Sequence, residues 1–157
     1  MSTFSFNYST VNKASLTPQY ATLLLRAEEA LLLSYSPYSR FRVGAALLLA
    51  NGSYRLGANQ ENASYPAGIC AERAAIAGIN PLNPEHKIVA IAITYSTEGH
   101  FDSPVAPCGI CRQVLLEIEH AQQSAIEIYL SSPSGRVLKI DTAEHLLPFH
   151  FSKGNLD

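Results

Sequence analysis

The chain has 157 residues, of which 47% are hydrophobic and 15% are charged, and its formal net charge is −2 at pH 7. A chain of this length fits one domain with a substantial core, and no apolar run approaches the roughly 18 residues needed to span a bilayer. Its Lys and Arg residues are scattered, which argues against a nucleic acid as partner, because phosphate contacts supply most of that affinity.

The chain starts with a polar segment, residues 1–15, which we expect to be a flexible arm ahead of a single domain at residues 16–157. The pair Thr17-Pro18 is typical of a helix start. Apolar residues then recur at helical spacing, which predicts a helix as far as about Tyr35. Pro37 ends this helix, because proline disfavours helical backbone in the residue before it.

The rest of the chain alternates short strands and helices. Asn51-Gly52 is a strong hairpin signal between two of the strands. The predicted strands are at 43–50, 54–58, 88–95, 126–130 and 137–140, and the predicted helices are at 68–78, at 108–122 and after Asp141. The order α-β-β-α-β-α-β-β-α implies a mixed sheet with helices on its faces. A helix between two strands favours parallel pairing, whereas the hairpins supply antiparallel pairs.

All three cysteines lie in two segments that each begin a predicted helix, Cys70-Ala71-Glu72-Arg73 and Pro107-Cys108-Gly109-Ile110-Cys111-Arg112-Gln113. Two cysteines three residues apart project from the same side of a helical turn. Zinc prefers deprotonated sulfur in a tetrahedron, and a helix N-terminus lowers a thiol pKa. Three protein ligands leave one position for water, so the pattern predicts a catalytic zinc site, although sulfur-rich sites also take iron.

The pair Cys108 and Cys111 alone also fits a redox dithiol, half of a structural zinc site or buried core cysteines. The upstream Cys70-x-Glu72 and the proline before Cys108 favour the zinc deaminase signature His-x-Glu … Pro-Cys-x-x-Cys, with cysteine in place of the histidine. Glu72 is then predicted to carry a proton from the zinc-bound water to N3 of a pyrimidine while hydroxide attacks C4. Its alternative role is only to complement the helix dipole.

Two arginines follow the cysteines closely. Three thiolates exceed the charge of Zn²⁺ by one unit, which would weaken its power to acidify water. We expect Arg73 and Arg112 to offset this excess by hydrogen bonding to sulfur; the alternative is that each forms an ordinary surface ion pair.

The sequence resembles the homotetrameric, all-cysteine class of cytidine deaminases from about residue 20 to residue 151. The resemblance rests on the two cysteine segments and on the runs at residues 38–46 and 59–66. It implies hydrolysis of cytidine and 2′-deoxycytidine to uridine and 2′-deoxyuridine with release of ammonia, in pyrimidine salvage. It also implies one Zn²⁺ per subunit and a three-layer α/β/α sandwich with a mixed sheet of about five strands.

The resemblance assigns roles to residues outside the zinc site. Phe41 would stack on or line the base, and Asn59 and Glu61 would bind the ribose 3′-hydroxyl. The backbone of Ala71 would face the exocyclic amine. A buried amide and carboxylate reject ligands that lack the hydroxyl they expect.

The resemblance also implies a homotetramer in which Tyr65 and Phe151 reach the site of a neighbouring subunit. Phe149 lies close to Phe151 and could take that role instead. The charged fraction of 15% is below the usual level of about 25%, which independently favours buried surface between copies, with a mildly apolar monomer as the alternative.

Three other functions compete with this interpretation. A deaminase of a nucleoside-like antibiotic such as blasticidin S would share both cysteine segments, but Arg73 and the motif Asn59-x-Glu61-Asn62 favour the nucleoside enzyme. A polynucleotide deaminase is disfavoured by the scattered basic residues, and a non-catalytic zinc or redox protein stays open. The odd number of cysteines and the lack of a signal-peptide pattern lead us to expect a cytoplasmic protein.

Overall fold

One mixed β-sheet organises the computed structural model, which describes residues 1–156. Its strands are β1 (Ser9–Val11), β2 (Arg42–Leu49), β3 (Tyr54–Ala58), β4 (Ile88–Ser96), β5 (Glu127–Ser131) and β6 (Val137–Ile140). The helices are α1 (Pro18–Ala30), α2 (Ala71–Ile76) and α3 (Gly109–Gln122). Short 3₁₀ helices include Leu31–Leu33, Tyr65–Ala67 and Ala143–Leu146. Across these residues the strand order is β1-β6-β5-β4-β2-β3.

The strand pairing follows from the connections. The pair β4 and β5, joined through α3, is parallel. Every other pair in the sheet of residues 1–156 is antiparallel. Gly52 turns the β2–β3 hairpin with a φ of 81°, a conformation that glycine adopts without steric cost. The predicted mixed sheet and its parallel crossover are therefore confirmed.

The sheet has six strands within the described residues, one more than predicted, and the additional strand is β1. It lies inside the segment 1–15 that the sequence predicts to be a flexible arm, and it pairs with β6. A three-residue strand is too short to show alternation, and it forms because an open sheet edge offers unpaired backbone groups. The predicted domain ends at Asp157, which lies outside the described residues.

The helices cover both faces of the sheet. Along β2, Ala46 and Leu48 pack with Leu23 and Ala27 of α1. The alternate residues of β2 face the opposite layer, which contains α2 and α3. This gives the predicted three-layer α/β/α sandwich. In the part of the chain that the structure describes, no helix has the length and apolarity needed to cross a membrane.

Helix α2 lies in direct backbone contact with β3. A Cβ atom placed on Gly57 would stand 2.2 Å from the nitrogen of Ala75 and 2.4 Å from the carbonyl oxygen of Ala71. Both atoms are backbone atoms and cannot turn away as a side chain can. Glycine at this position therefore sets how close the start of α2 comes to the sheet.

A buried carboxylate fixes the other end of α3. Glu119 is 6% exposed and accepts hydrogen bonds from the backbone nitrogens of Ile126 at 2.6 Å and Ala143 at 2.8 Å. It also accepts from the Thr142 hydroxyl at 2.9 Å and from the backbone nitrogen of Glu144 at 3.2 Å. Burial of this charge is tolerated because four donors satisfy it. Glu119 thereby ties α3 to the start of β5 and to the 3₁₀ helix Ala143–Leu146.

We expect Gly57→Ala to lower the free energy of unfolding by about 1–3 kcal/mol or more, because the new Cβ must displace the backbone of α2. Zinc content should fall as well, since Cys70 immediately precedes that helix. Thermal unfolding followed by circular dichroism and metal analysis measure the two effects. Gly99→Ala is the control, because a Cβ there meets only the Thr97 hydroxyl at 3.8 Å. Equal stability of the two variants would contradict the prediction.

Candidate active site

Three cysteine sulfurs meet where α2 and α3 begin. Cys70 and Cys108 are the N-cap residues of these helices, and Cys111 lies in the first turn of α3. The Sγ atoms of Cys70 and Cys108 are 3.7 Å apart, and those of Cys108 and Cys111 are 3.6 Å apart. With zinc–sulfur bonds of about 2.3 Å, a tetrahedral site places its sulfurs about 3.8 Å from one another. The donor set and its spacing therefore fit zinc.

The thiols differ in how readily they ionise. A hydrogen bond from Cys111, with help from Cys108 and the charge of Arg73, lowers the pKa of Cys70 to about 6. The same hydrogen bond to Cys70, together with burial and the nearby Glu72, raises the pKa of Cys111. Zinc ligands must be thiolates, so metal binding here is accompanied by proton release.

Glu72 lies beside the sulfurs and is only 4% exposed. Burial raises the pKa of its carboxyl, and a hydrogen bond from its own backbone nitrogen, one from Cys111 and the charge of Arg73 partly oppose this effect. A buried carboxyl with a raised pKa is the kind of group that serves as a general acid and base. Its position in the first turn of α2 therefore suits acid–base chemistry next to a metal.

A cavity of about 690 Å³ opens in front of this group. Its wall contains most of the predicted site residues, namely Asn59, Glu61, Tyr65, Cys70, Ala71, Glu72 and Cys108. Apolar side chains complete the wall, among them Val43, Ile93 and Val105. Cys111 is fully buried, whereas Cys70 and Cys108 reach the cavity.

Asn59 holds the segment that leads into β2. Its Oδ1 accepts hydrogen bonds from the Ser34 hydroxyl at 2.6 Å and the backbone nitrogen of Val43 at 2.8 Å. Its Nδ2 donates to the carbonyl oxygen of Phe41 at 2.9 Å. The Val43 bond fixes which way the amide faces, because a backbone N–H requires an acceptor. One N–H of the Asn59 amide stays free of these bonds.

Glu61 is held by residues 38 and 39, which lie just before the segment that Asn59 contacts. Its Oε2 accepts hydrogen bonds from the backbone nitrogens of Tyr38 at 2.9 Å and Ser39 at 3.2 Å, and its Oε1 accepts from the Ser39 hydroxyl. The Ser39 hydroxyl, followed by the two backbone nitrogens, lowers the pKa of Glu61. A carboxylate offers about four acceptor positions, so one position on Oε1 stays available to a ligand.

The aromatic residues named from the sequence lie at or beyond the edge of the cavity. Phe41 stacks on Tyr95, with ring centroids 5.1 Å apart and an interplanar angle of 6°, and is not among the lining residues. Tyr65 lines the cavity but is 81% exposed. Phe151 and Phe149 are 59% and 99% exposed and lie outside the lining.

Arg73 and Arg112 do not form the hydrogen bonds to sulfur that the sequence led us to expect. Within residues 1–156, neither donates a hydrogen bond to a cysteine. Arg73 acts through its charge, as described above for Cys70. Arg112 donates from Nε to the carbonyl oxygen of Pro107 at 2.8 Å and from Nη1 to that of Leu146 at 2.9 Å. Arg112 therefore links Pro107, the residue before Cys108, to the 3₁₀ helix Ala143–Leu146.

Sequence reasoning missed the serines that hold the binding pair. Ser34 and Ser39 contact Asn59 and Glu61 across 25 and 22 residues, a separation that no local pattern reveals. The one available signal was the position of Ser39 inside the run at residues 38–46 that carries the family resemblance.

The α/β/α sandwich and the three-sulfur site beside a buried carboxyl define a zinc enzyme of the deaminase type. The family model for the cytidine and deoxycytidylate deaminase zinc-binding region matches residues 18–127. The chain belongs to this family, and zinc is its cofactor.

Three similar proteins match this chain over most of their own length. A cytidine deaminase from Halalkalibacterium halodurans is 42% identical over 124 residues, which is 79% of this chain and 87% of the relative. One from Sporosarcina psychrophila is 37% identical over 134 residues, covering 85% and 92%. The crystal structure of a Burkholderia pseudomallei cytidine deaminase superposes with a TM-score of 0.70 at 39% identity, covering 84% of this chain and 98% of that one.

We expect Arg112→Gln to accelerate zinc release and to lower the free energy of unfolding by about 1–3 kcal/mol, because it leaves two carbonyl oxygens without their charged donor. A colorimetric zinc indicator and thermal unfolding measure these effects. Arg26→Gln is the control, since its partner Glu29 lies on the exposed face of α1. Zinc release as slow as in that control would contradict a role for Arg112 at the site.

Proposed function

We propose that the chain hydrolyses cytidine and 2′-deoxycytidine to uridine and 2′-deoxyuridine with release of ammonia. The observation that carries this proposal is the cluster of three cysteine sulfurs, two of them from residues that line one cavity together with the buried Glu72. The relatives, which bear the name cytidine deaminase, favour this reaction over that of a blasticidin S-type deaminase. Pyrimidine salvage in the cytoplasm fits such an enzyme and its reduced thiols.

Cys70, Cys108 and Cys111 would hold the zinc ion, which when bound supplies a water acidified enough to act as nucleophile. Glu72 lies beside the sulfurs, and burial raises the pKa of its carboxyl, so it would accept and hold the proton released by the attacking water. Glu72 would deliver that proton to N3 of the pyrimidine as the hydroxide adds to C4. It would then carry the proton of the new C4 hydroxyl to the amino group, so that the C4–N bond breaks, ammonia leaves and a C4 carbonyl remains. Ala71, between Cys70 and Glu72 in the cavity wall, would turn its backbone toward that amino group.

The sugar would be recognised by Asn59 and Glu61. After the hydrogen bonds to their own chain, the Asn59 amide has one N–H left to donate and Glu61 has one acceptor position left, and both residues line the cavity. A single hydroxyl matches such a pair, because it can accept one hydrogen bond and donate another. A ligand without that hydroxyl would leave these two groups unpaired. The family resemblance implies that the hydroxyl is the 3′-hydroxyl of the ribose. Phe41 stays a prediction as a residue that lines the base.

We further propose a homotetramer in which Tyr65 and an aromatic residue of the C-terminal segment complete a neighbour's site. Exposed aromatic rings are costly in water, and Tyr65, Phe149 and Phe151 all exceed half exposure in the single chain. Phe149 also has a φ of 58°, which a bulky residue rarely adopts without a compensating contact.

The purified protein should remove the ultraviolet absorbance band of cytidine, stop when its metal is stripped and recover when zinc is restored. Glu72→Gln should keep zinc and fold but lose about 10²–10⁴-fold in kcat, because it removes the proton carrier. Glu117→Gln, an exposed position on α3, is the control and should stay active. Turnover by zinc-loaded Glu72→Gln close to that of the control would rule out the proton-transfer role.

The tetramer proposal predicts a particle of four times 17.0 kDa by light scattering. If the C-terminal aromatic of one chain serves another chain's site, Phe151→Ala and Glu72→Gln subunits, each nearly inactive alone, should recover activity when assembled together. Phe149→Ala in place of Phe151→Ala tests the alternative residue. A fully active monomer would contradict the tetramer and the role of Phe151 or Phe149 in a neighbour's site.

A further inference from the structure

The hydroxyl of Ser39 joins Glu61, in the cavity wall, to the backbone of Phe41, which lies outside the lining. It donates a hydrogen bond to Oε1 of Glu61 and accepts one from the backbone nitrogen of Phe41 at 3.0 Å. The backbone nitrogen of Ser39 adds a bond of 3.2 Å to Oε2 of the same carboxylate. Ser39 is therefore the residue that contacts both oxygens of Glu61.

The direction of the Ser39 proton is forced by its two partners. The N–H of Phe41 can only donate, and an ionised Glu61 can only accept. The hydroxyl proton must therefore point at Glu61, and the bond is a charge-assisted one, about twice as strong as a bond between neutral groups. A water molecule in the same place would not be covalently fixed to the chain and could turn.

This bond decides how Glu61 faces a ligand. The backbone nitrogens of residues 38 and 39 hold only Oε2, and the terminal torsion of a glutamate is broad. The Ser39 hydroxyl fixes the plane of the carboxylate by holding Oε1, and leaves that oxygen one acceptor position. It is also the largest cause that lowers the pKa of Glu61, so it favours the ionised form at mildly acidic pH.

We propose that Ser39 is the positioning residue of the sugar-binding carboxylate, and that its hydroxyl makes the site selective for nucleosides with a 3′-hydroxyl. The inference rests on the proposed function for its substrate. Ser39 acts through Glu61 and does not touch the atoms that react. Ser39 is exposed, so its replacement by alanine leaves no buried cavity.

The test compares wild type, Ser39→Ala, Ser39→Thr and the control Ser64→Ala. Ser64 is an exposed serine near the same rim whose side chain makes no capping bond and does not line the cavity. The substrates are cytidine and 3′-deoxycytidine, which differ only in the 3′-hydroxyl. Values of kcat and KM are measured for each pair as a function of pH.

Ser39→Ala should raise KM for cytidine about tenfold, with kcat changed less than about twofold and KM for 3′-deoxycytidine unchanged. The hydroxyl contact requires an ionised carboxylate, so binding is lost as pH falls through the pKa of Glu61. Without the Ser39 hydroxyl that pKa rises, and the loss of cytidine binding should begin at a higher pH. Ser39→Thr keeps a hydroxyl and should restore both properties, while Ser64→Ala should match wild type.

An equal rise in KM for both substrates would show a merely structural effect and would overturn the proposal. Equal KM values of the wild-type enzyme for cytidine and 3′-deoxycytidine would instead refute the assignment of Asn59 and Glu61 to the 3′-hydroxyl. Titration of the ¹³C-labelled Glu61 carboxyl by NMR in the zinc-loaded protein provides a readout that needs no turnover. If Ser39→Ala leaves the pKa of Glu61 where it is in wild type, the positioning role is wrong whatever the substrate.

Discussion

The site depends on one constraint, namely that α2 and α3 begin side by side at the same part of the sheet. Helix α3 leads from β4 into the parallel strand β5, so that crossover determines where Cys108 lies. Helix α2 reaches Cys108 because Gly57 lets its first turn rest directly on the backbone of β3. Two independent packing relations, one from topology and one from the absence of a side chain, thus bring Cys70 to 3.7 Å from Cys108.

Most of the fold can be predicted from the sequence, because turn residues, prolines and hydrophobic periodicity act over only a few residues. The strands β3 and β6 and the Asn51-Gly52 turn follow the pattern to the residue. Helix α2 begins later than predicted, because Ile69 pairs with Gln60 in an isolated β-bridge and Cys70 has an extended backbone. Strand β1 could not be predicted, because only the distant edge of β6 makes those three residues a strand.

The candidate site likewise has one part that the sequence predicts and another part that only the structure reveals. The three cysteines and Glu72 were named from the sequence because Cys-x-Glu and Pro-Cys-x-x-Cys occur together, whereas the Cys-x-x-Cys spacing alone also fits other kinds of site. The hydrogen bonds of Asn59, Glu61 and Arg112 do not, since each partner lies 5 to 34 residues away. As a result, the residues proposed to recognise the sugar also hold the loop around them, and replacing Asn59 or Glu61 changes binding and loop geometry together.

The sequence separation of the sulfurs has a consequence for how the holoenzyme is assembled. Cys108 and Cys111 are neighbours in any conformation, whereas Cys70 lies 38 residues from Cys108 and joins them only in the folded chain. The unfolded ensemble can therefore offer zinc a weak bidentate site but not the complete one. By mass action the ion favours the native state, and metal supply during synthesis becomes a determinant of folding yield as well as of activity.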